Sequence, residues 1–243
     1  MNAKLAIEDL TVSYHRIPAI HHINLEIESG TCIGLLGPNG AGKTTFLKAI
    51  AGLIRAETGR VKFSGREIRG GGKTIAYLPQ RETVDWDFPI TVRGLVEMGR
   101  YPDLGMWKPF RKSDDAIVEE ALHVMDLEPL ADRQIKALSG GQQQRAFLAR
   151  AWAQQSEIYL LDEPFTGLDK NARESVTEIL QKLRGTGKLI LASHHDLGEV
   201  SRIFDHVLFL NGELVAYGDT PTTFTEANIE KTFAMKIFSG SHA

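Results

Sequence analysis

Gly37-Pro38-Asn39-Gly40-Ala41-Gly42-Lys43-Thr44-Thr45 matches G-x-x-x-x-G-K-[ST] at every fixed position. Glycines at this spacing let backbone N–H groups turn inward around phosphate oxygens, and a helix starting at the lysine adds its dipole. In that chemistry Lys43 reaches the β- and γ-phosphates of a nucleotide, and the Thr44 hydroxyl binds Mg²⁺. The bland alternative is a glycine-rich turn that binds nothing. The context argues against it: the apolar run Cys32–Leu36 leads in, and a segment rich in Leu, Ala and Ile leads out.

A second group of reactive residues lies far downstream. Ile158-Tyr159-Leu160-Leu161 is an apolar strand that runs into Asp162 and Glu163. With a phosphate loop upstream, Asp162 would hold Mg²⁺ through water, and Glu163 would orient and deprotonate an attacking water. Alone, two acids at a strand end would read as a solvated turn. Between these groups, Ser139-Gly140-Gly141 precedes a helix expected from Gln142 to Gln155. A hydroxyl and bare backbone at a helix N-terminus make a further anion site, although Ser-Gly-Gly by itself is also an ordinary helix cap.

These residues need a scaffold, and hydrophobic periodicity supplies one. Leu5–Tyr14 and Ile23–Glu28 alternate apolar and polar, the period of half-buried strands. Ser29-Gly30 marks a turn before the strand that enters the phosphate loop. A helix is expected from about Gly42-Lys43 to Ile54, then a strand from Gly59 to Phe63, a turn at Gly70-Gly71-Gly72 and a strand from Thr74 to Leu78. From about Thr91 to Leu130 the pattern is helical, punctuated by Pro102 and Pro109. Ser113 with Asp114 and Asp115 suits a helix start, where acids complement the dipole. Strand Ile158–Leu161, helix Asn171–Leu183 and strand Leu189–Ala192 alternate as a buried parallel sheet requires. Asn211-Gly212 between two apolar runs signals a hairpin. From Pro221 a helix and a tail are expected.

Composition narrows the function. A chain of 243 residues can bury a full α/β core. A formal net charge of -3, with no basic run, argues against a nucleic-acid partner. No stretch approaches ~18–20 continuous apolar residues, and the N-terminus lacks the apolar core of a secretory signal. The single Cys32 has no internal disulfide partner, suits a reducing cytoplasm, and reads as a small core residue. His21 and His22 are adjacent, so on a strand they would face opposite ways and chelate a metal poorly. They read as a surface pair.

Leu138-Ser139-Gly140-Gly141-Gln142 just upstream of Leu160-Leu161-Asp162-Glu163-Pro164 resembles the signature sequence of ABC-type ATPases, and the resemblance covers nearly the whole chain. It implies an α/β fold: a P-loop NTPase core with a mixed, largely parallel sheet flanked by helices, N-terminal antiparallel strands and a helical insert. One domain would span 1–243, with the core at 1–80 and 138–243 and the insert at 81–137. The family binds ATP and Mg²⁺. Its signature, here Ser139, Gly140, Gly141 and Gln142, acts on the γ-phosphate held by a second copy in a head-to-tail dimer. By the same resemblance Tyr14 would stack on adenine, Gln80 would contact Mg²⁺ together with Thr44 and Asp162, and Asp169 would communicate across the dimer. In Ser193-His194-His195-Asp196 the family's His-Asp pattern selects His195 for the γ-phosphate and leaves His194 structural.

The segment Pro79-Gln80-Arg81-Glu82-Thr83-Val84-Asp85-Trp86-Asp87-Phe88-Pro89-Ile90, with Met98-Gly99-Arg100-Tyr101, is similar to the ATPase subunits of bacterial manganese, zinc and iron importers. That group works with a membrane permease and an extracytoplasmic metal-binding protein, which would place the chain peripherally at the cytoplasmic face of the membrane. Iron-siderophore, haem and cobalamin importers share part of this text and are the nearest alternative. A soluble non-transport ABC protein is another: translation factors of that kind carry two such domains in one chain, and repair ATPases carry long coiled coils. A generic P-loop kinase or GTPase would make the signature a coincidence. Trp86, Phe88, Trp107 and Phe110 are either anchors for the permease or buried within the insert.

Overall fold

The computed structural model describes residues 3–68, 70, 72–105 and 108–233. The chain forms two compact units, one built from Met1–Ile68 with Ser193–Ala243 and the other from Arg69–Ala192.

In the first unit, β1 (Lys4–Tyr14), β2 (Ile17–Glu28), β4 (Thr58–Phe63) and β5 (Arg66–Glu67) form an antiparallel sheet in the order β2-β1-β4-β5. Leu5, Ile7, Leu10 and Val12 fill its buried face. The apolar positions skip from odd to even numbers because the ladder slips between Ile7 and Leu10, with Asp9 at φ 49°. A bulge of this kind inserts one residue and restores the inward face. The fully buried β3 (Cys32–Leu36) runs parallel to β9 (His206–Asn211), which turns through Gly212 into antiparallel β10 (Glu213–Asp219). Cys32 is buried, as a small core residue should be.

Helix α1 (Lys43–Ile50) leaves the phosphate loop and stops before the expected Ile54. Gly52 takes φ 67° and donates to Ala49 O, while Leu53 N donates to Lys48 O. This pair of bonds is the left-handed glycine stop that satisfies the last carbonyls of a helix. Short helices α7 (Val200–Ile203) and α8 (Thr220–Thr223) and then α9 (Glu226–Phe233) complete the unit. The expected tail beyond α9 lies outside the described residues.

The second unit holds three parallel strands, β6 (Ile75–Leu78), β7 (Ile158–Leu161) and β8 (Leu189–Ser193), paired Leu78↔Leu161 and Leu161↔Ala192. The last residue of β8 belongs by contacts to the first unit. Its helices are α2 (Val92–Glu97), α3 (Tyr101–Leu104), α4 (Lys112–Val124), α5 (Gly140–Ala153) and α6 (Lys170–Gly185). Helix α4 starts one residue before Ser113. Its cap is the Asp114 carboxylate, which accepts from Arg111 N at 3.0 Å and also takes the Arg100 Nε donor at 3.0 Å. Helix α5 starts two residues earlier than expected, because Ser139 and Gln142 cap it reciprocally.

Candidate functional site

The phosphate loop joins β3 to α1 within the first unit. Two of its glycines are required by close approach: a methyl group on Gly37 would lie 2.1 Å from the Leu210 carbonyl oxygen, and one on Gly42 would lie 2.5 Å from that of Ala19. Gly42 also sits at φ 90°, a conformation that costs side-chain-bearing residues free energy. Lys43 is 8% exposed, and its Nζ donates to Gly37 O at 2.8 Å and Pro38 O at 2.9 Å. The ammonium is thus folded back over the loop of Pro38, Asn39, Gly40 and Ala41, with Thr44 and Thr45 in the first turn of α1 behind it. This loop suits a nucleotide phosphate: it offers a helix N-terminus and a cation held in place by two carbonyls.

Tyr14 ends β1 and is 49% exposed, which leaves about half of the residue open to a partner. After β8, the two adjacent histidines part company. His194 is buried, donates its backbone N–H to Leu35 O at 3.0 Å, and lays its ring edge on Phe204 with centroids 5.5 Å apart. His195 is exposed.

The carboxylates lie in the second unit. Asp162 N donates to Leu78 O, extending the β6–β7 ladder by one residue and burying the Asp162 side chain at the strand end. Glu163 then adopts φ 52°, a left-handed backbone unusual for a side-chain-bearing residue. That turn breaks the strand alternation, and the two acids share neighbours. Gln80 Nε2 lies 3.5 Å from Asp162 Oδ1 and 3.3 Å from Glu163 Oε1. Thr166 Oγ1 donates to Glu163 Oε2 at 3.1 Å, and Tyr77 Oη lies 3.5 Å from Asp162 Oδ2. Burial, and then the Asp162 charge, push the Tyr77 phenol above its ordinary range, so it stays a donor. Thr166 opens the Thr166–Asp169 stretch and Tyr77 leads into Gln80, but only the fold shows what their side chains touch. The one available signal was local: Thr166 stands three residues after Glu163, the spacing at which hydroxyls bond back across a turn. Within the second unit the Asp162 carboxylate and the Gln80 side-chain amide carry hard oxygens of the kind that Mg²⁺ selects, as the Thr44 hydroxyl does in the first.

The signature opens α5. Ser139 Oγ accepts from Gln142 N at 3.4 Å, and Gln142 Oε1 accepts from Ser139 N at 2.9 Å. A methyl group on Gly140 would come within 2.9 Å of Arg81 Nη1, and one on Gly141 within 2.9 Å of Ala172 Cβ. Asp169 caps α6, accepting from Ala172 N at 2.8 Å. Ser139, Gly140, Gly141, Gln142 and Asp169 line one open cavity of about 380 Å³.

Of the four aromatic residues Trp86, Phe88, Trp107 and Phe110, Trp86 is half-buried, with its ring edge on Phe147 at 5.2 Å. Phe88 is 55% exposed. Phe110 lines an open cavity of about 830 Å³ with Tyr101 and Leu104. Trp107 lies outside the described residues. The His21-His22 expectation needs one correction. His22 sits at φ 53°, so alternation fails there and the two rings meet edge to face at 6.1 Å instead of facing apart. Each pairs with a carboxylate, His21 with Glu213 and His22 with Asp9. No group of three metal-ligating side chains occurs among the described residues.

Comparison with known proteins bears on both units. A family model described as ABC transporter matches residues 20–166. The chain is 46% identical to a manganese transport system ATP-binding protein of Halalkalibacterium halodurans over 96% of its length and 93% of that protein's. It is 42% identical to a zinc transport system ATP-binding protein of Treponema pallidum, over 96% and 88% of the two chains. Among solved structures, an inward-facing transporter of metal-chelate type aligns at TM-score 0.84 and 27% identity, over 97% of this chain and 90% of the other. A dimeric bacterial ABC transporter cassette aligns at TM-score 0.76 and 27% identity, over 88% and 98%.

Proposed function

This chain belongs to the ABC transporter ATP-binding family, and from that membership we propose that it is the Mg²⁺-dependent ATPase subunit of a metal-ion importer. The observation that carries the catalytic part is the pair at the end of β7. A buried Asp162 stands beside a Glu163 whose two oxygens already accept from Gln80 and Thr166. The metal-import part rests on the relatives that serve manganese and zinc transport systems.

Each group of site residues has a distinct task. Gly37–Thr45 bind the ATP phosphates through backbone donors, with Lys43 exchanging its contacts to the Gly37 and Pro38 carbonyls for phosphate oxygens. Tyr14 stacks on adenine. Thr44, Gln80 and Asp162 would hold Mg²⁺, which would supply neutralisation of the phosphate charge. Glu163 orients the attacking water and takes its proton, and its position depends on Thr166 and Gln80. His195 donates to the γ-phosphate. Ser139, Gly140, Gly141 and Gln142 act on the nucleotide of a second copy, with Asp169 at the same edge, so hydrolysis requires a head-to-tail pair. The dimeric cassette of similar fold supports pairing of two copies.

Residues 81–137 form the helical insert, and Phe88, with the Tyr101–Phe110 cavity, offers apolar surface to a permease at the cytoplasmic face of the membrane. An extracytoplasmic metal-binding protein would act through that permease. Among the described residues no helix is long and apolar enough to cross a membrane itself. A second reading, import of a metal chelate, draws on the solved transporter of that type.

The deciding experiment reconstitutes the chain with its permease and binding protein and measures ATP hydrolysis and uptake. Manganese, zinc or iron ions should stimulate both, whereas stimulation only by a siderophore, haem or cobalamin supports the second reading. ATPase activity insensitive to the permease overturns the transport role.

A further inference from the structure

Arg81 follows Gln80 directly, and its guanidinium reaches back onto the start of α5. Nη2 donates to Gln143 Oε1 at 2.8 Å, and Gln143 is itself buried and donates to Ile135 O at 3.2 Å. Nη1 fills the space where a Gly140 side chain would stand, and it lies 3.6 Å from the Cβ position of Gly167. The guanidinium carbon is 5.6 Å from the Trp86 ring centre, a cation–π distance, while Trp86 Nε1 donates to Arg81 O at 3.1 Å. Trp86 rests on Phe147, the Arg150 guanidinium lies 5.2 Å from the Phe147 ring, and Arg150 donates to Tyr77 O at 3.2 Å.

Gly140, Gln143, Phe147 and Arg150 succeed one another by three, four and three residues, so they form one stripe along α5. The segment from Tyr77 to Trp86 lies against that stripe, and Arg81 is its contact with the first turn. The first turn is the signature.

We infer that Arg81 is a positioning residue for the signature: its planar guanidinium, held by Gln143 and Trp86, sets the Ser139–Gly141 turn in the conformation that receives the nucleotide of a second copy. The inference rests on the composite-site reading above. A methyl group at 140 would press on Nη1, so the guanidinium would have to shift. A planar fork can occupy the space over Gly140, hydrogen-bond Gln143 and cover Trp86 together, and a lysine ammonium cannot do all three.

The test uses the full chain with Glu163→Gln as the parent, to trap the ATP-bound pair, and reads pairing by sedimentation against ATP concentration. Arg81→Ala should raise the ATP needed for half-maximal pairing at least tenfold, and Arg81→Lys should recover only part of the loss. Trp86→Phe keeps the ring on Phe147 but loses the Nε1 donor, and should shift pairing in the same direction by less. Nucleotide binding to the single chain and the unfolding midpoint should stay near the parent's, and amide exchange should quicken at Ser139–Gln144 alone. Unchanged pairing in Arg81→Ala overturns the inference. So does a loss matched by weaker single-chain nucleotide binding or by general destabilisation. If the Glu163→Gln parent stays monomeric at saturating ATP, the composite-site reading fails instead. Amide exchange at Ser139–Gln144 then decides the positioning claim by itself, and unaltered exchange overturns it.

Discussion

Gln80 Nε2 stands 3.3 Å from Glu163 Oε1, so an amide just beyond β6 touches the carboxylate just beyond β7. The other Glu163 oxygen accepts from Thr166. Both oxygens are therefore oriented by neighbours, and the left-handed backbone at Glu163 turns the side chain towards them. Strain of this sort, of order 1–3 kcal/mol, persists only where surrounding structure over-determines it.

Glu163→Gln keeps the side-chain volume and an oxygen that can accept from Thr166, requires the Gln80 amide to turn its oxygen towards the new NH2, and removes the proposed base. Phosphate release is expected to fall by about 10²–10⁴-fold with ATP binding retained. Turnover within a few-fold of the parent would remove Glu163 from the chemistry.

Lys43→Ala should abolish the stabilisation that Mg-ATP confers. At a hundred times Kd a ligand adds about 2.7 kcal/mol to stability, a shift readily seen in thermal unfolding. The variant should show no such shift at the same ATP concentration, and an undiminished shift would contradict the role of the ammonium in the loop.

Arg100 and Asp114 form a buried pair, each side chain 6% exposed, with Arg100 also bound to Asp103 and the Ala153 carbonyl. Burial raises the Asp114 pKa, but the Arg100 hydrogen bond and the Arg111 backbone N–H outweigh it and hold the carboxyl below its usual 3.8. A depressed carboxyl stabilises the fold above its unfolded value, and that contribution is lost as pH falls through the folded one. Asp114→Ala removes one of the two carboxylates that hold the buried guanidinium, leaving Asp103, and should cost about 1.5–3 kcal/mol in urea unfolding at neutral pH. A loss below 1 kcal/mol would show that the pair is not held as described.

The Tyr217 phenol is pushed up to about 12 from the usual 10.0, by burial first and then by the charges of Asp219 and Glu28. The unfolded chain therefore releases this proton before the folded one does, and stability present below pH 10 is lost as pH rises towards 12. Tyr217→Phe should flatten the stability profile across that window, and an unchanged slope there would rule the residue out as a contributor.

Much of this protein is legible along the chain because its chemistry is local in sequence. A phosphate loop is backbone and helix N-terminus, so Gly37–Thr45 can be recognised from residue types and spacing alone. The same holds for an acid pair at the end of an apolar strand, for Ser139 at a helix start, and for strand and helix alternation from β6 to β8. Helix ends were harder. Gly52 ends α1 by adopting a left-handed turn, yet Gly140 and Gly141 stand inside α5, because Ser139 and Gln142 cap it.

Tertiary structure alone decided what surrounds those motifs. Tyr77 meets Asp162 across 85 residues of chain, and Arg81 meets Gln143 across 62. Neither pairing leaves a periodic trace, because each depends on distant segments converging. Period-two reasoning also failed where a bulge intervened, at His22, because one left-handed residue reverses the facings after it. Motif chemistry was readable because neighbours in sequence carry it, while the partners that orient it had to wait for the fold that brings them within 3.5 Å.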